Sequence, residues 1–255
     1  MSFIFGDFNT DDMPELVAPL KTWTSLAGLN PQTVSLPGAD GLYLAGATLG
    51  AQQATFDACI QAASEPESLR LADVFTANLA PHMGIQRLTP GGDDFKGWVW
   101  PAMLAGPISW QPGQWRYGKP WQLRADVSFL CPEPYGYAWP DEAFFGVSGV
   151  TVNRTMGNMP SYPRIELTGA FNKVTLSCPG WELTIDPVKV GPGQKLILDY
   201  QNWQFAVWQG DVKVAYATSG MSSFDRPSLP LGETTIGVAG DGIASVAIYA
   251  NSRRA

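Results

Sequence analysis

Residues 173–217 read KVTLSCPGWELTIDPVKVGPGQKLILDYQNWQFAVWQGDVKVAYA, and this stretch decides the fold. Short runs rich in β-branched and aromatic residues alternate with turn formers: Pro179-Gly180, Gly191-Pro192-Gly193 and Gly210-Asp211. The spacing predicts strands over Lys173–Ser177, Trp181–Ile185, Lys195–Tyr200, Gln204–Trp208 and Val212–Ala217. Working outward, Arg164–Thr168, closed by Gly169, is a strand before it. Thr234–Val238 and Val246–Tyr249, either side of Gly240-Asp241-Gly242, are strands after it. Strands recurring about every 8–12 residues with a turn between each pair are the pattern of a β-sandwich or jelly roll.

The N-terminal half is also strand-rich. Trp121–Leu130 places Leu123, Ala125, Val127 and Phe129 on one face and Gln122, Arg124, Asp126 and Ser128 on the other. Ala54–Ile60 and Gly97–Met103 alternate in the same way, and Phe3 and Phe5 make a short strand ending at Gly6. One helix is expected. Ser64 caps it, Glu67 completes a capping box, and Pro66 is tolerated in the first turn. Leu71, Val74, Phe75 and Leu79 then form its apolar stripe, and Pro81 stops it. Between the halves, residues 131–149 carry Pro132, Pro134 and Pro140, which break regular structure. The fold class is therefore mainly β, with domains over 1–134 and 135–255.

Composition excludes much. The chain has 255 residues, 15% charged, with 27 Gly, 21 Pro, 10 Trp, 3 Cys and a single His, and a net charge of −7. Residues 1–134 hold 13 Asp/Glu against 7 Lys/Arg, and residues 135–255 hold 10 against 9. Such an acidic chain lacks the basic footprint of a nucleic-acid binder. The opening MSFIFGDFNTDD has neither basic residues nor a long apolar run, so no secretory signal is expected, and no apolar run is long enough to span a membrane. Cys59, Cys131 and Cys178 are too dispersed for a metal clip and are expected as buried thiols.

No phosphate-binding loop, dinucleotide fingerprint, HExxH or GxSxG occurs. His82 is the only imidazole and follows Ala80-Pro81, where a surface or capping role is expected over a catalytic one. Asp11-Asp12, Asp93-Asp94 and Asp141-Glu142 are adjacent pairs. Neighbours on a strand point to opposite faces, so none makes the carboxylate geometry of a glycosidase by itself. Asp225 and Asp241 lack the cadence of a calcium loop. No enzyme activity, metal or other cofactor is expected. Tryptophan is the informative excess, with Trp98, Trp100, Trp110, Trp115 and Trp121 within 24 residues. Core packing, a protein interface and a sugar platform are all open to such residues.

Two stretches carry a resemblance: Asn153-Arg154-Thr155-Met156-Gly157-Asn158-Met159-Pro160-Ser161-Tyr162-Pro163-Arg164-Ile165-Glu166-Leu167-Thr168-Gly169, and Leu229-Pro230-Leu231-Gly232-Glu233-Thr234-Thr235-Ile236-Gly237-Val238. Together they resemble the C-terminal domain of the distal tail proteins of long, non-contractile-tailed (siphovirus-like) bacteriophages. The opening Phe3-Ile4-Phe5-Gly6-Asp7-Phe8, the segment Val34-Ser35-Leu36-Pro37-Gly38-Ala39-Asp40-Gly41 and the linker Phe129-Leu130-Cys131-Pro132-Glu133-Pro134-Tyr135 are similar to the same family's N-terminal half. Glu233-Thr234-Thr235 stands where Glu-Asn-Thr is common, and Leu231 separates the usual Pro-Gly pair.

The resemblance implies a structural virion protein at the distal tail tip, made in the cytoplasm of a bacterial host. It implies a homo-hexameric ring closed by the N-terminal belt domain, with a galectin-like β-sandwich outside. One ring face would join the tail tube protein, and the other would carry the tail-tip hub or a fibre or lysin protein. Phe3, Phe5, Phe8, Trp98 and Trp100 are the candidates for ring or tube contact. Asp93 and Asp94 are candidates for a lumen through which DNA passes unbound. The alternative is a galectin-like carbohydrate-binding module in which Trp203 or Trp208 stacks on a sugar while Asn202 or Gln204 bonds its hydroxyls.

Overall fold

A computed structural model describes residues 2–23, 28–35, 43–80, 84–113 and 120–255. The chain divides after Gly136 into two compact units. His82, Pro81, Trp115 and the Leu36–Gly41 part of the Pro-Gly segment lie outside the described residues.

The first unit contains β1 (Phe3–Phe5), β2 (Phe8–Asn9), β3 (Leu16–Val17), β4 (Leu20–Trp23), β5 (Leu29–Val34), β6 (Tyr43–Leu49), β7 (Gln52–Ala62), α1 (Glu65–Asn78), β8 (Gln86–Pro90), β9 (Trp98–Leu104), β10 (Gln111–Pro112) and β11 (Trp121–Cys131). Its main sheet runs β2-β1-β8-β9-β11-β7-β3. The backbone of the unit is the antiparallel pair β7–β11, in continuous register from Trp121↔Ala62 to Cys131↔Gln52. Period-2 alternation does the sorting: Ala54, Phe56, Ala58 and Ile60 are fully buried opposite Leu123, Ala125, Val127 and Phe129.

Helix α1 packs on β7 and β11. The Ser64 side chain accepts from the Glu67 N–H at 3.4 Å, which is half of the expected capping box. The other half is not made, because the Glu67 carboxylate pairs with Arg70 in the next turn. The buried face is Ser68, Leu71, Ala72 and Phe75, continued by Leu79, whereas Val74 is 40% exposed. At about 100° per residue Val74 lies off the centre of that face, so including it in the apolar stripe is corrected.

The second unit is a sandwich. After β12 (Gly136–Ala138) come β13 (Ala143–Gly146), β14 (Gly149–Arg154), β15 (Arg164–Gly169), β16 (Val174–Cys178), β17 (Trp181–Ile185), β18 (Lys195–Asp199), β19 (Gln204–Gln209), β20 (Val212–Tyr216), β21 (Gly232–Ala239), β22 (Ile243–Tyr249) and β23 (Arg253–Arg254). One sheet runs β13-β22-β15-β18-β19-β20 and the other β14-β21-β16-β17. Their inward residues, among them Ile165, Leu167, Leu196, Leu198, Ile236 and Ile248, are fully buried in one core. All eight strands expected from spacing are present. The turn glycines Gly169, Gly180, Gly193, Gly210 and Gly242 all have positive φ.

The 131–149 segment is not wholly irregular, which corrects the sequence reading. Pro132 and Pro134 precede β12, and Pro140 falls between β12 and β13, so each proline sits outside a ladder and breaks nothing.

Candidate assembly surfaces

Strands β5 and β6 stand apart. They pair only with each other among the described strands, with Asn30 opposite Thr48 and Thr33 opposite Leu44. The ribbon is closed at its base by the Gly50 N–H donating to the Gly28 carbonyl at 2.8 Å. Six residues of β5 extend it by roughly 20 Å at 3.4 Å each. Asn30–Val34 are all exposed, and Leu44, at 66%, is the most exposed large hydrophobic residue described in this unit. Neither strand carries a charge. A two-stranded ribbon is marginal in water without a surface to pack on, so this arm is the element whose stability is least explained inside one chain.

On the same unit, Thr76 and Ala80 with the Leu104–Ile108 segment line an open cavity of about 560 Å³. No charged side chain among the described residues lines it. A second cavity of about 510 Å³ is lined by Lys21, Asp57, Arg124 and Asp126, where Lys21 closes on Asp126 at 2.7 Å.

The aromatic residues expected at a ring or tube contact are mostly internal. Phe3 stacks against Phe56 with ring centres 4.5 Å apart and meets Phe129 at 5.3 Å, and Phe5 meets Phe129 at 4.9 Å. Trp100 packs edge-on to Trp23 at 4.8 Å. Phe3, Phe5, Trp98 and Trp100 are all buried, so they consolidate the unit's own core and their side chains offer no surface to a partner. Phe8 alone is half-buried, against Phe75 at 5.9 Å. Asp93 and Asp94 begin a short 3-10 turn, Asp93–Phe95, and are both exposed.

In the second unit the polar residues that matter are staples. Asp141 accepts from the N–H groups of Glu142, Asn251 and Ser252. Burial nevertheless raises its pKa above the usual carboxylate value. Burial also pushes on Glu142, but hydrogen bonds from Ser252, Thr155 and Met156 prevail and hold its pKa low. Arg154, 1% exposed, donates to the carbonyls of Met156, Met159 and Leu229 and to the Ser161 hydroxyl. Gly157, at φ +92, presses so closely on the Arg253 carbonyl that a Cβ would lie 2.2 Å from it. Sequence reasoning missed Arg154 as a core residue. The signal was present, since it shares parity with the buried Val150 and Val152.

Of the four residues of the sugar alternative, Asn202, Trp203 and Gln204 are exposed and Trp208 is half-buried. Asn202 is committed to Asp199 through both its backbone and its side-chain N–H. Trp203, at φ 53, has the Arg226 guanidinium over its ring at 4.1 Å. Gln204 is exposed on its own, and Trp208 is half-buried with the Lys213 ammonium 5.3 Å above its ring. Each of the two tryptophans therefore already has a cation over its ring.

Among the described residues no group of three His, Cys, Asp or Glu could hold a metal. Asp225 accepts from the Ser223 hydroxyl at 2.7 Å, and Asp241 lines a shallow cavity with Lys173. All three cysteines are free. Cys131 is buried and its thiol is pushed up to about 12, while Cys59 and Cys178 are only half-buried. No described helix is long and apolar enough to cross a membrane.

No family model and no curated protein matches the sequence. The structure is more informative. It aligns with the Dit protein of phage SPP1, described as a paradigm of the hub adsorption apparatus of phages infecting Gram-positive bacteria, at a TM-score of 0.71. The alignment covers 99% of this chain and 98% of that one at 12% identity, so both units are matched in a single pass. The chain has the Dit fold. A phage P2 baseplate structure, in its activated conformation with calcium, aligns at a TM-score of 0.49 and 10% identity over 97% of this chain and 93% of that one. The Dit fold accounts for one helix among so many strands, and for a β-sandwich following a separate β-rich unit.

Proposed function

We propose that this protein is a non-enzymatic hub of a phage tail, forming a homo-hexameric ring at the distal tip. The observation that carries this reading is the end-to-end correspondence with the SPP1 Dit protein across both units. In this role the first unit is the ring-forming belt, and the second is the outer, galectin-like sandwich. One ring face joins the tail tube protein and the other carries the tail-tip hub or a fibre or lysin protein. The assembled place is the virion, after synthesis in the cytoplasm of the bacterial host.

Two features of the chain support the reading. Two largely exposed strands that pair only with each other among the described strands suit a protein that completes its packing in an assembly. The exposed Asp93 and Asp94 suit a channel wall, because like charge keeps phosphate from adhering as DNA slides through.

The test is light scattering with particle imaging of the purified chain, alone and mixed with its tail tube protein. A ring with about six times the mass of the 27.5 kDa chain is expected. A particle that stays monomeric at tens of micromolar in both mixtures overturns the proposal.

A further inference from the structure

We infer that the Arg226 guanidinium is the docking point for a carboxylate of a partner protein, carried on a segment whose apolar side chains cover Trp203 and Phe224. The site lies wholly in the second unit and does not depend on the ring.

Arg226 stands on the loop between the 3-10 turn Thr218–Gly220 and β21. That loop is tied down on both sides of it. The Trp181 indole N–H donates to the Asp225 carbonyl at 2.8 Å, and Leu229 bridges to Ser161. The guanidinium carbon sits 4.1 Å from the centre of the Trp203 ring and 4.7 Å from that of Tyr162, so two rings fix its position. What it lacks is an acceptor. Its Nε is buried without a hydrogen-bond partner, and among the described residues no carboxylate, carbonyl or hydroxyl pairs with the group. Even the adjacent Asp225 is engaged elsewhere, its carboxylate taking the Ser223 hydroxyl at 2.7 Å. An arginine stacked on rings and left without an acceptor keeps its planar fork ready for the two oxygens of a carboxylate.

The surroundings choose the occupant. A polyanion such as nucleic acid needs a row of cations, and this chain has a net charge of −7. Arg253, which shares the Tyr162 ring, already donates to the Pro160 carbonyl. Beside the guanidinium, Trp203 is 49% exposed and Phe224 is 53% exposed, and both pack on Phe205. Rings so placed are covered by apolar side chains, which a phosphate does not bring. Trp203 is also held at φ 53, a left-handed conformation uncommon for a bulky residue, so the fold keeps this ring at the surface against its backbone preference. Trp, Tyr and Arg are the residues on which binding energy concentrates at protein interfaces. One carboxylate with apolar flanks meets all of these terms, and that is an Asp or Glu between apolar residues of another protein.

The test is a titration of the full chain, followed through the proton–nitrogen correlation signals of Arg226 Nε and the Trp203 indole. The probes are the blocked peptide acetyl-Leu-Glu-Leu-amide, its Leu-Gln-Leu counterpart, inorganic phosphate and glucuronate. Both signals should move to saturation with the Glu peptide. The Gln peptide should bind at least about tenfold more weakly, the worth of one charge-assisted hydrogen bond. Arg226→Lys should lose a comparable factor for the Glu peptide, because an ammonium keeps the charge without the stacked fork.

Signals that stay still, or equal affinities for the Glu and Gln peptides, overturn the inference, and these wild-type titrations decide it whether or not Arg226→Lys folds. Tighter binding of phosphate or glucuronate overturns it too, by giving the site to a free anion or an acidic sugar. Signals that shift with protein concentration alone give the site to a second copy and overturn the partner named here. None of these outcomes bears on the ring reading.

Discussion

One carboxylate oxygen of Glu142 accepts both the backbone N–H and the hydroxyl of Thr155, each at 2.8 Å. The other oxygen takes the Met156 N–H and the Ser252 hydroxyl. A single side chain thus ties the end of β14 and the final segment of the chain to the start of the sandwich. Its neighbour Asp141 holds Asn251 and Ser252 from the other side.

These two acids respond to pH with opposite signs. The native pKa of Glu142 is below its unfolded value, so its contribution is complete above the ordinary carboxylate value of about 4.3 and is lost as pH falls through the lower native value. Asp141 has a raised native pKa, so its ionisation costs stability at neutral pH, and that cost disappears as pH falls through the native value. In Glu142→Gln the acid-side loss of melting temperature should be shallower than in wild type. Thermal unfolding of the full chain between about pH 6 and pH 3 reads this directly. Parallel curves for the two proteins would refute the assignment.

Arg154 is predicted to be costly to remove. Arg154→Met removes a donor shared by three carbonyls and a hydroxyl, of which the Leu229 carbonyl keeps a second partner, the Ser161 N–H, and the expected loss is about 3 kcal/mol or more in urea unfolding. Arg154→Lys should not restore it, because one ammonium cannot reproduce the planar fork that reaches Met159 and Leu229 together.

Phe3 is predicted to matter for folding alone. Phe3→Ala should lower stability by about 3–5 kcal/mol, and Phe8→Ala by clearly less. Under conditions where Phe3→Ala remains folded, its association should match wild type. A variant with unchanged denaturant midpoint but weakened association would return Phe3 to the interface.

The Asp93→Lys, Asp94→Lys double variant should keep its stability within about 0.5 kcal/mol, since both positions are exposed. If the pair lines the channel, rings bearing it should retain DNA at low salt where wild-type rings do not. Equal DNA binding by the two would place these acids on an outer surface.

Much of the fold was legible in the sequence because half-buried strands print their burial as alternation. Val127 and Phe129 are core because Asp126 and Ser128 are not. The same rule marks Arg154, yet a charged residue in a core position contradicts the expectation from polarity, and only its four acceptors make it intelligible. Trp98 and Trp100 were ambiguous for a different reason. Parity says that two residues share a face, but not what covers it, and here Trp23 from a distant strand covers Trp100. The arm was the least legible. Its sequence has ordinary strand character, and its significance comes from pairing with no third strand among those described, which is a property of the whole sheet order.

The exposed apolar side chain of Leu44 has a physical consequence for whatever surface it meets. Interactions between charged surfaces fade as ionic strength rises, because the screening length shrinks from about 10 Å at 0.1 M salt to about 3 Å at 1 M. A contact made by the apolar side chain of Leu44 itself would have no such dependence, and apolar association strengthens on warming from the cold. A contact made through Leu44 would therefore tolerate brine and dilute medium alike, and it would be weakest near freezing.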